Sequence, residues 1–307
     1  MKFSVALPVD RVDRPELVGG AALAELARHV EAIGLDAVFV TDHPAPDDRW
    51  LAGGGHHAAE PTVALAFAAA ATDTLRLHTN IYVLAYRNPF LAAKALGSLD
   101  VLSGGRLILG VAAGYLRPEF AAVGADFERR NDLTDEHLAL LRRLWEGESV
   151  AGEGPGWRAR GVTQLPQPGA IPPVWIGGNS QRAMRRAATL ADGWAPFPTP
   201  AGLAGAAKTA DLSTLDQLTQ RIQRVREWRA EAGVAPELDV CCGAFSLLDH
   251  VAGKVPAAAL VEEYAAMADA GVTWTTIDLG GDTVAERIAR LDEFHAEVIA
   301  PLRTARP

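Results

Sequence analysis

Short apolar, β-branched runs alternate with longer helical stretches along the whole chain, and this alternation limits the fold more than any single motif. Strands are read at 3–7, 37–40, 75–84, 107–112, 173–176, 193–197, 238–245 and 273–278. Helical stretches fall near 15–33, 60–72, 88–102, 131–147, 180–191, 212–232 and 256–270, with a last one over 282–300. Leu26, Val30 and Ile33 share one helix face, and Gly34 supplies the stop. Leu138, Leu141, Leu144 and Trp145 repeat that spacing, and Asp282 or Thr283 is placed to cap the last helix with Glu286 behind it. Eight strands, each followed by a helix, predict parallel βαβ units, and eight units in 307 residues fit a (β/α)₈ TIM barrel. The rival is a doubly wound open sheet, which asks for a glycine-rich turn after strand one. The sequence there is LPVDRVDRP, with no glycine. Residues 1–307 read as one domain, and the Gly/Pro-rich stretch 147–173 reads as an excursion between the fourth helix and the fifth strand.

Active sites of such barrels collect where strands end and loops begin, at the C-terminal rim. Strand two ends in Asp42-His43-Pro44, strand three carries HTNIYVLAYRNP, strand four ends in GVAAGYLRPE and strand five in WIGGNS. Gly177-Gly178-Asn179-Ser180 sits between a strand and a helix. It reads either as an anion cradle at a helix N-terminus or as an ordinary tight turn with a cap. Thr79 and Asn80 are neighbours in a strand and so face opposite ways, which puts at least one of them in the interior. Asp42 reads as a turn-starting acid before proline or as a functional group. His43 reads as a satisfied polar residue or as an acid/base. His56, His57 and Glu60, taken with Asp42 and His43, suggest a metal site. A strand-anchored ligand pair is missing at the end of strand one, however, so no metal is expected and WLAGGGHHAAEP reads as a loop over the barrel mouth.

Composition removes several classes. The net charge of −9 argues against a nucleic-acid partner. The apolar start MKFSVALPVDR is too short for a signal peptide, and no 18-residue apolar run follows, so a cytoplasmic protein without a membrane partner is expected. Cys241 and Cys242 are the only cysteines. As strand neighbours they point apart and read as buried thiols, not a disulfide.

Three blocks in order, GLDAVFVTDH, NPFLAAKALGSLDVLSGGRLILGVAAGY and PPVWIGGNSQRAMRRAATLADGWAPF, resemble the luciferase-like monooxygenase superfamily. Within it the chain looks most like the oxidoreductases that use the deazaflavin coenzyme F420. The resemblance implies a TIM barrel and places several residues. His43 would lie beside the deazaflavin ring as an acid/base, with Asp42 next to it. Asn80-Ile81 would form a bulge with a non-proline cis peptide that props the ring, with Thr79 beside it a further cofactor-binding candidate. Gly114 and Tyr115 would lie near ring or substrate, and Gly177, Gly178, Asn179 and Ser180 would hold the cofactor phosphate.

The chain also departs from that family's pattern. Ala112 stands where many members have glycine. Tyr115 stands where the sugar-phosphate dehydrogenases place a glutamate, which argues against glucose 6-phosphate as substrate. PAP follows His43 where they carry an aromatic, and Trp50 comes later. The reading is hydride transfer between F420 and a small organic substrate whose pocket is shaped by loops 44–60, 115–130 and 147–172, in a possible homodimer. FMN with a separate reductase, a non-catalytic deazaflavin carrier and a metallohydrolase are the alternatives.

Overall fold

The computed structural model describes residues 1–199 and 209–305. Its strands are β1 (Lys2–Ala6), β2 (Ala37–Val40), β3 (Arg76–Val83), β4 (Leu107–Ala112), β5 (Val150–Gly154), β6 (Trp157–Val162), β7 (Val174–Gly177), β8 (Gly193–Ala195), β9 (Asp239–Val240) and β10 (Trp274–Ile277). Eight of them form one sheet in the order β10-β1-β2-β3-β4-β7-β8-β9. The pairings within it are parallel, and a parallel bridge between Cys241 and Trp274 joins the two ends into a barrel. The predicted (β/α)₈ architecture is therefore observed. β5 and β6 are the exception: they pair antiparallel as a hairpin inside the 147–173 excursion.

Strand alternation sorts the core into two layers. Val38, Val40, Leu77, Leu109, Val111, Val174, Ile176 and Val240 pack outward under the helices. Ala37, Ile108, Trp175, Ala195, Cys241 and Trp274 pack together within the barrel. Barrel strands such as β2, β4 and β7 are thus apolar on both faces, which is why they read as continuous hydrophobic runs. Cys241 and Cys242 fall in opposite layers, each a free buried thiol, as their adjacency predicts.

Size decides where the interior is filled and where it is open. Trp175, Trp274 and His78 plug it, with His78 against Trp175 at 4.9 Å and Trp175 against Trp274 at 5.2 Å between ring centroids. Burial lowers the His78 imidazole to about 3, so it is a neutral part of the core. Toward the C-terminal ends the lining shrinks to Ala112, Gly177, Ala195, Cys241 and Thr276, and there the barrel opens into a cavity of about 500 Å³.

Helix boundaries follow local chemistry. The expected helix 15–33 is broken at Gly19, which is extended, into Pro15–Val18 and Gly20–Ala32. Thr283 caps the last long helix through the Glu286 N–H, and Glu286 answers by accepting the Asp282 N–H. The expected strand 238–245 keeps only two residues of regular pairing because the chain then turns away. The N–H groups of Phe245 and Ser246 donate to the Glu263 carboxylate instead of to a neighbouring strand. No helix among the described residues is long and apolar enough to cross a membrane.

Candidate active site

The cavity is lined by Thr41, Asp42, His43 and His56, by Asn80, Ile81 and Val83, by Gly114 and Tyr115, and by Gly177, Gly178 and Ser180. Residues read as separate sequence motifs therefore meet at one rim. Thr79 and Asn179 do not line it. Thr79 is buried, and its hydroxyl donates to the Gly110 carbonyl at 2.9 Å. The Asn179 side chain is also buried: its amide donates to the Phe197 carbonyl and to the Thr199 hydroxyl, and its oxygen accepts the Phe197 N–H. It fastens the loop after β8 beneath the glycine turn.

Asp42 ends β2 as a buried carboxylate with a defined set of partners. The Arg87 guanidinium binds it in a fork, Nη1 to Oδ2 at 2.6 Å and Nη2 to Oδ1 at 2.9 Å, and the Val83 N–H donates at 2.8 Å. Burial pushes the carboxyl up, while Arg87 and Val83 pull it back. The guanidinium itself, though desolvated, is held protonated by Asp42 and stacks on the Tyr82 ring at 4.1 Å. Leaving one member of such a pair alone in the interior costs ~3–5 kcal/mol.

That clamp grips β3 just beyond its irregularity. Pairing with β4 shifts register between Thr79 and Tyr82, and the Asn80–Ile81 peptide bond is cis, as the resemblance implied. The bulge turns Ile81 toward β7, where Gly177 receives it: a Cβ on Gly177 would lie 2.1 Å from Ile81 Cδ1. The missing side chain at Gly177 is thus a packing requirement between the two walls of the cavity.

His43 is oriented from the far side by a residue that sequence reading passed over. Its Nδ1 lies 3.3 Å from Glu119 Oε2. Glu119 is fully buried and also accepts the Tyr86 hydroxyl at 2.7 Å and the Ala45 N–H at 3.2 Å. Burial opposes its ionisation, but the bonds from His43, Tyr86 and Ala45 outweigh it and hold the carboxyl below its usual range. A carboxylate only accepts, so Nδ1 carries the proton and Nε2 presents its lone pair to the cavity. Asp42 is not the partner of His43. Trp50 comes back onto His43 from the short helix Asp48–Ala52, at 4.5 Å between centroids, and Tyr115 closes in at 6.1 Å. Burial and Glu119 push the Tyr115 phenol up to about 12. The aromatic missing directly after His43 is thus supplied seven residues later.

The opposite chemistry gathers at the helix Gln181–Leu190. Ser180 caps it by accepting the Ala183 N–H, and Asn179 does not cap it. The Gly178 N–H donates to the Ala195 carbonyl and the Asn179 N–H to the Thr209 hydroxyl. The donors a helix leaves for an anion there are consequently those of its first turn, Ser180 to Arg182, not those of the glycine pair. Arg130, Arg182 and Arg186 line the same wall, with Arg182 paired to Asp132 and Arg186 to Asp135. The wall suits an anionic group such as a phosphate. Among the described residues no group of three or more His, Cys, Asp or Glu side chains is gathered for a metal ion.

The fold and this site define a luciferase-like barrel. The chain belongs to the luciferase-like monooxygenase family, whose model matches residues 1–297. It is 32% identical over 189 residues to the F420-dependent glucose-6-phosphate dehydrogenase of Intrasporangium calvum, covering 58% of this chain and 54% of that protein. It is 29% identical over 171 residues to the F420-dependent hydroxymycolic acid dehydrogenase of Mycobacterium tuberculosis, covering 55% and 46%. The chain thus matches about half the length of these relatives. An F420-dependent secondary alcohol dehydrogenase solved with an F420–acetone adduct superposes with a TM-score of 0.71 at 18% identity, over 97% of this chain and 98% of that one, which shows the shared fold.

Replacing Glu119 by Gln tests the electrostatics. The Glu119 carboxyl is depressed in the folded chain, so its contribution is complete above the unfolded value of 4.5 and is lost as pH falls through the lower folded value. Wild-type stability should therefore drop more steeply than that of Glu119→Gln in urea unfolding between pH 5 and pH 3, taken as roughly the range of this loss. Parallel pH profiles for the two proteins would contradict the assignment.

Proposed function

We propose that the chain is an oxidoreductase that moves a hydride between coenzyme F420 and a small hydroxyl or carbonyl compound. One observation carries the reading: His43, backed by the buried Glu119 carboxylate, faces the same cavity as a phosphate-suited helix N-terminus. When bound, the deazaflavin supplies the ring that takes or gives the hydride. The chain supplies position and proton movement. The first turn after Ser180 holds the phosphate, and the Asn80–Ile81 bulge backs the ring. His43 Nε2 takes the hydroxyl proton as a carbinol becomes a carbonyl, or returns it in the reverse direction. Trp50 and Tyr115 pack against that imidazole and help hold its orientation. The names of the curated relatives, dehydrogenases of hydroxyl compounds, support the substrate class. Tyr115, at the position of their glutamate, argues for a substrate other than glucose 6-phosphate.

A carrier without catalysis would have no use for a buried carboxylate committed to a ring-side imidazole. The free thiols Cys241 and Cys242 suit a reducing compartment such as the cytoplasm. The helix Pro61–Ala71 carries no charged residue and exposes Val63 and Phe67, and Leu91 and Leu102 are exposed on the helix Pro89–Ser103. This apolar face suits a second copy of the chain. Sedimentation velocity should give a dimer that Phe67→Glu converts to a folded monomer. A monomeric wild type would remove the proposal.

Fluorescence-quenching titration should give tighter binding of F420 than of FMN. Ser180→Asp keeps a capping oxygen for the Ala183 N–H but sets a negative charge against the phosphate, so F420 affinity should fall roughly tenfold or more with the melting temperature held. Tight FMN binding without F420 binding would turn the assignment toward a flavin monooxygenase. Unchanged affinity in the variant would move the phosphate elsewhere.

A further inference from the structure

We propose that His56 is the relay that carries protons between His43 and solvent. This rests on the oxidoreductase reading above. Two imidazoles stand side by side at the mouth of the cavity, perpendicular, with centroids 4.9 Å apart. Their hydrogen bonds set the same tautomer in each. His43 Nδ1 faces the Glu119 carboxylate, and His56 Nδ1 lies 2.7 Å from the His57 carbonyl, an acceptor only. Each ring therefore keeps its proton on Nδ1 and offers the Nε2 lone pair. One such base is enough for the substrate, and the second needs another explanation.

The surroundings of His43 supply it. The ring is 10% exposed, and of its described contacts with Glu119, Trp50, His56 and Tyr115 all but His56 are dead ends for a proton. Glu119 is fully buried, held ionised by its bonds, and its other partners are the Ala45 amide and the Tyr86 phenol, which burial pushes far up. Tyr115 is pushed up to about 12, Trp50 does not titrate, and Asp42 is locked to Arg87. His56 touches both His43 and Trp50, lines the cavity and is half-buried, and His57 next to it is exposed. It follows Gly53-Gly54-Gly55, whose N–H groups bond back to the carbonyls of the helix Asp48–Ala52 and so set His56 beside Trp50.

The sequence of transfers balances. As the carbinol carbon gives up its hydride, the O–H bond breaks, its electron pair becomes the carbonyl π bond, and the proton goes to His43 Nε2. His43 then passes that proton to His56 Nε2, and His56 releases it to a solvent base. Nδ1–H of both rings stays in place throughout, and reduction of a carbonyl runs the same path backward.

His56→Phe keeps a ring against Trp50 but carries no proton. Propan-2-ol, cyclohexanol and glucose 6-phosphate are the alcohols to test with F420, in weak and strong buffers. With whichever alcohol turns over, steady-state rates of the variant should fall roughly tenfold or more in dilute, non-imidazole buffer, far more than the single-turnover rate. Added imidazole should restore them with saturation. Equal losses in both regimes without rescue, or no loss at all, overturn the relay. A second readout needs no cofactor. In ¹⁵N-histidine spectra of the free protein, proton exchange at the His43 ring should slow in His56→Phe, and unchanged exchange overturns the proposal. Should the wild type bind no F420 and oxidise none of these alcohols, the oxidoreductase reading fails by itself, and the exchange measurement still decides the relay.

Discussion

A buried carboxylate at the end of the second strand organises this site. Asp42 cannot be left alone in the interior, so it draws Arg87 across from the turn after β3 and takes the Val83 N–H. Those bonds tie the end of β2 to β3 immediately beyond its bulge. The bulge then has a fixed outer anchor, and Ile81 packs against the inner barrel cluster and into the space that Gly177 leaves open. His43 follows Asp42 in the chain, so its starting point on the rim is set by the same clamp. The acid beside the imidazole is a structural fastener, and the imidazole faces a different acid.

That separation of roles has an electrostatic consequence. Asp42 spends its charge on Arg87, whereas Glu119 spends its own on His43, Tyr86 and a backbone amide. The carboxylate behind His43 accepts from Nδ1 and so fixes which ring nitrogen is left for the cavity. Cationic chemistry is kept to the other wall, around Arg130, Arg182 and the helix after Ser180. One cavity therefore holds a proton-handling wall and an anion-holding wall, with small residues of the barrel lining between them.

Much of this was legible in the sequence, for a physical reason. Strands covered on both faces must be apolar throughout, so Val38–Val40 and Val174–Ile176 declared themselves, and strand ends then pointed to Asp42, His43, Asn80, Tyr115 and Ser180. Contacts between distant segments left no local mark. Glu119 follows Arg117-Pro118 at the start of a short helix, where an acid reads as a routine complement to the helix dipole. Arg87 sits in a turn, and its partner lies 45 residues away. The polar character of Asn179 suggested ligand contact, but its side chain is buried and consumed by the loop after β8. The β5–β6 hairpin was hidden by glycines that suggested only a loop. Trp50 was seen in the sequence, yet nothing local showed that the helix Asp48–Ala52 folds it back onto His43.

The proposed chemistry turns on what His43 does, and single-turnover absorbance of F420 with a saturating oxidisable alcohol measures it. In His43→Ala the rate constant for the bound enzyme should fall by about 10²–10⁴-fold, with cofactor affinity changed far less. A variant that loses affinity while its bound form reacts at nearly the wild-type rate would show that His43 is only a wall beside the ring, and would contradict the account.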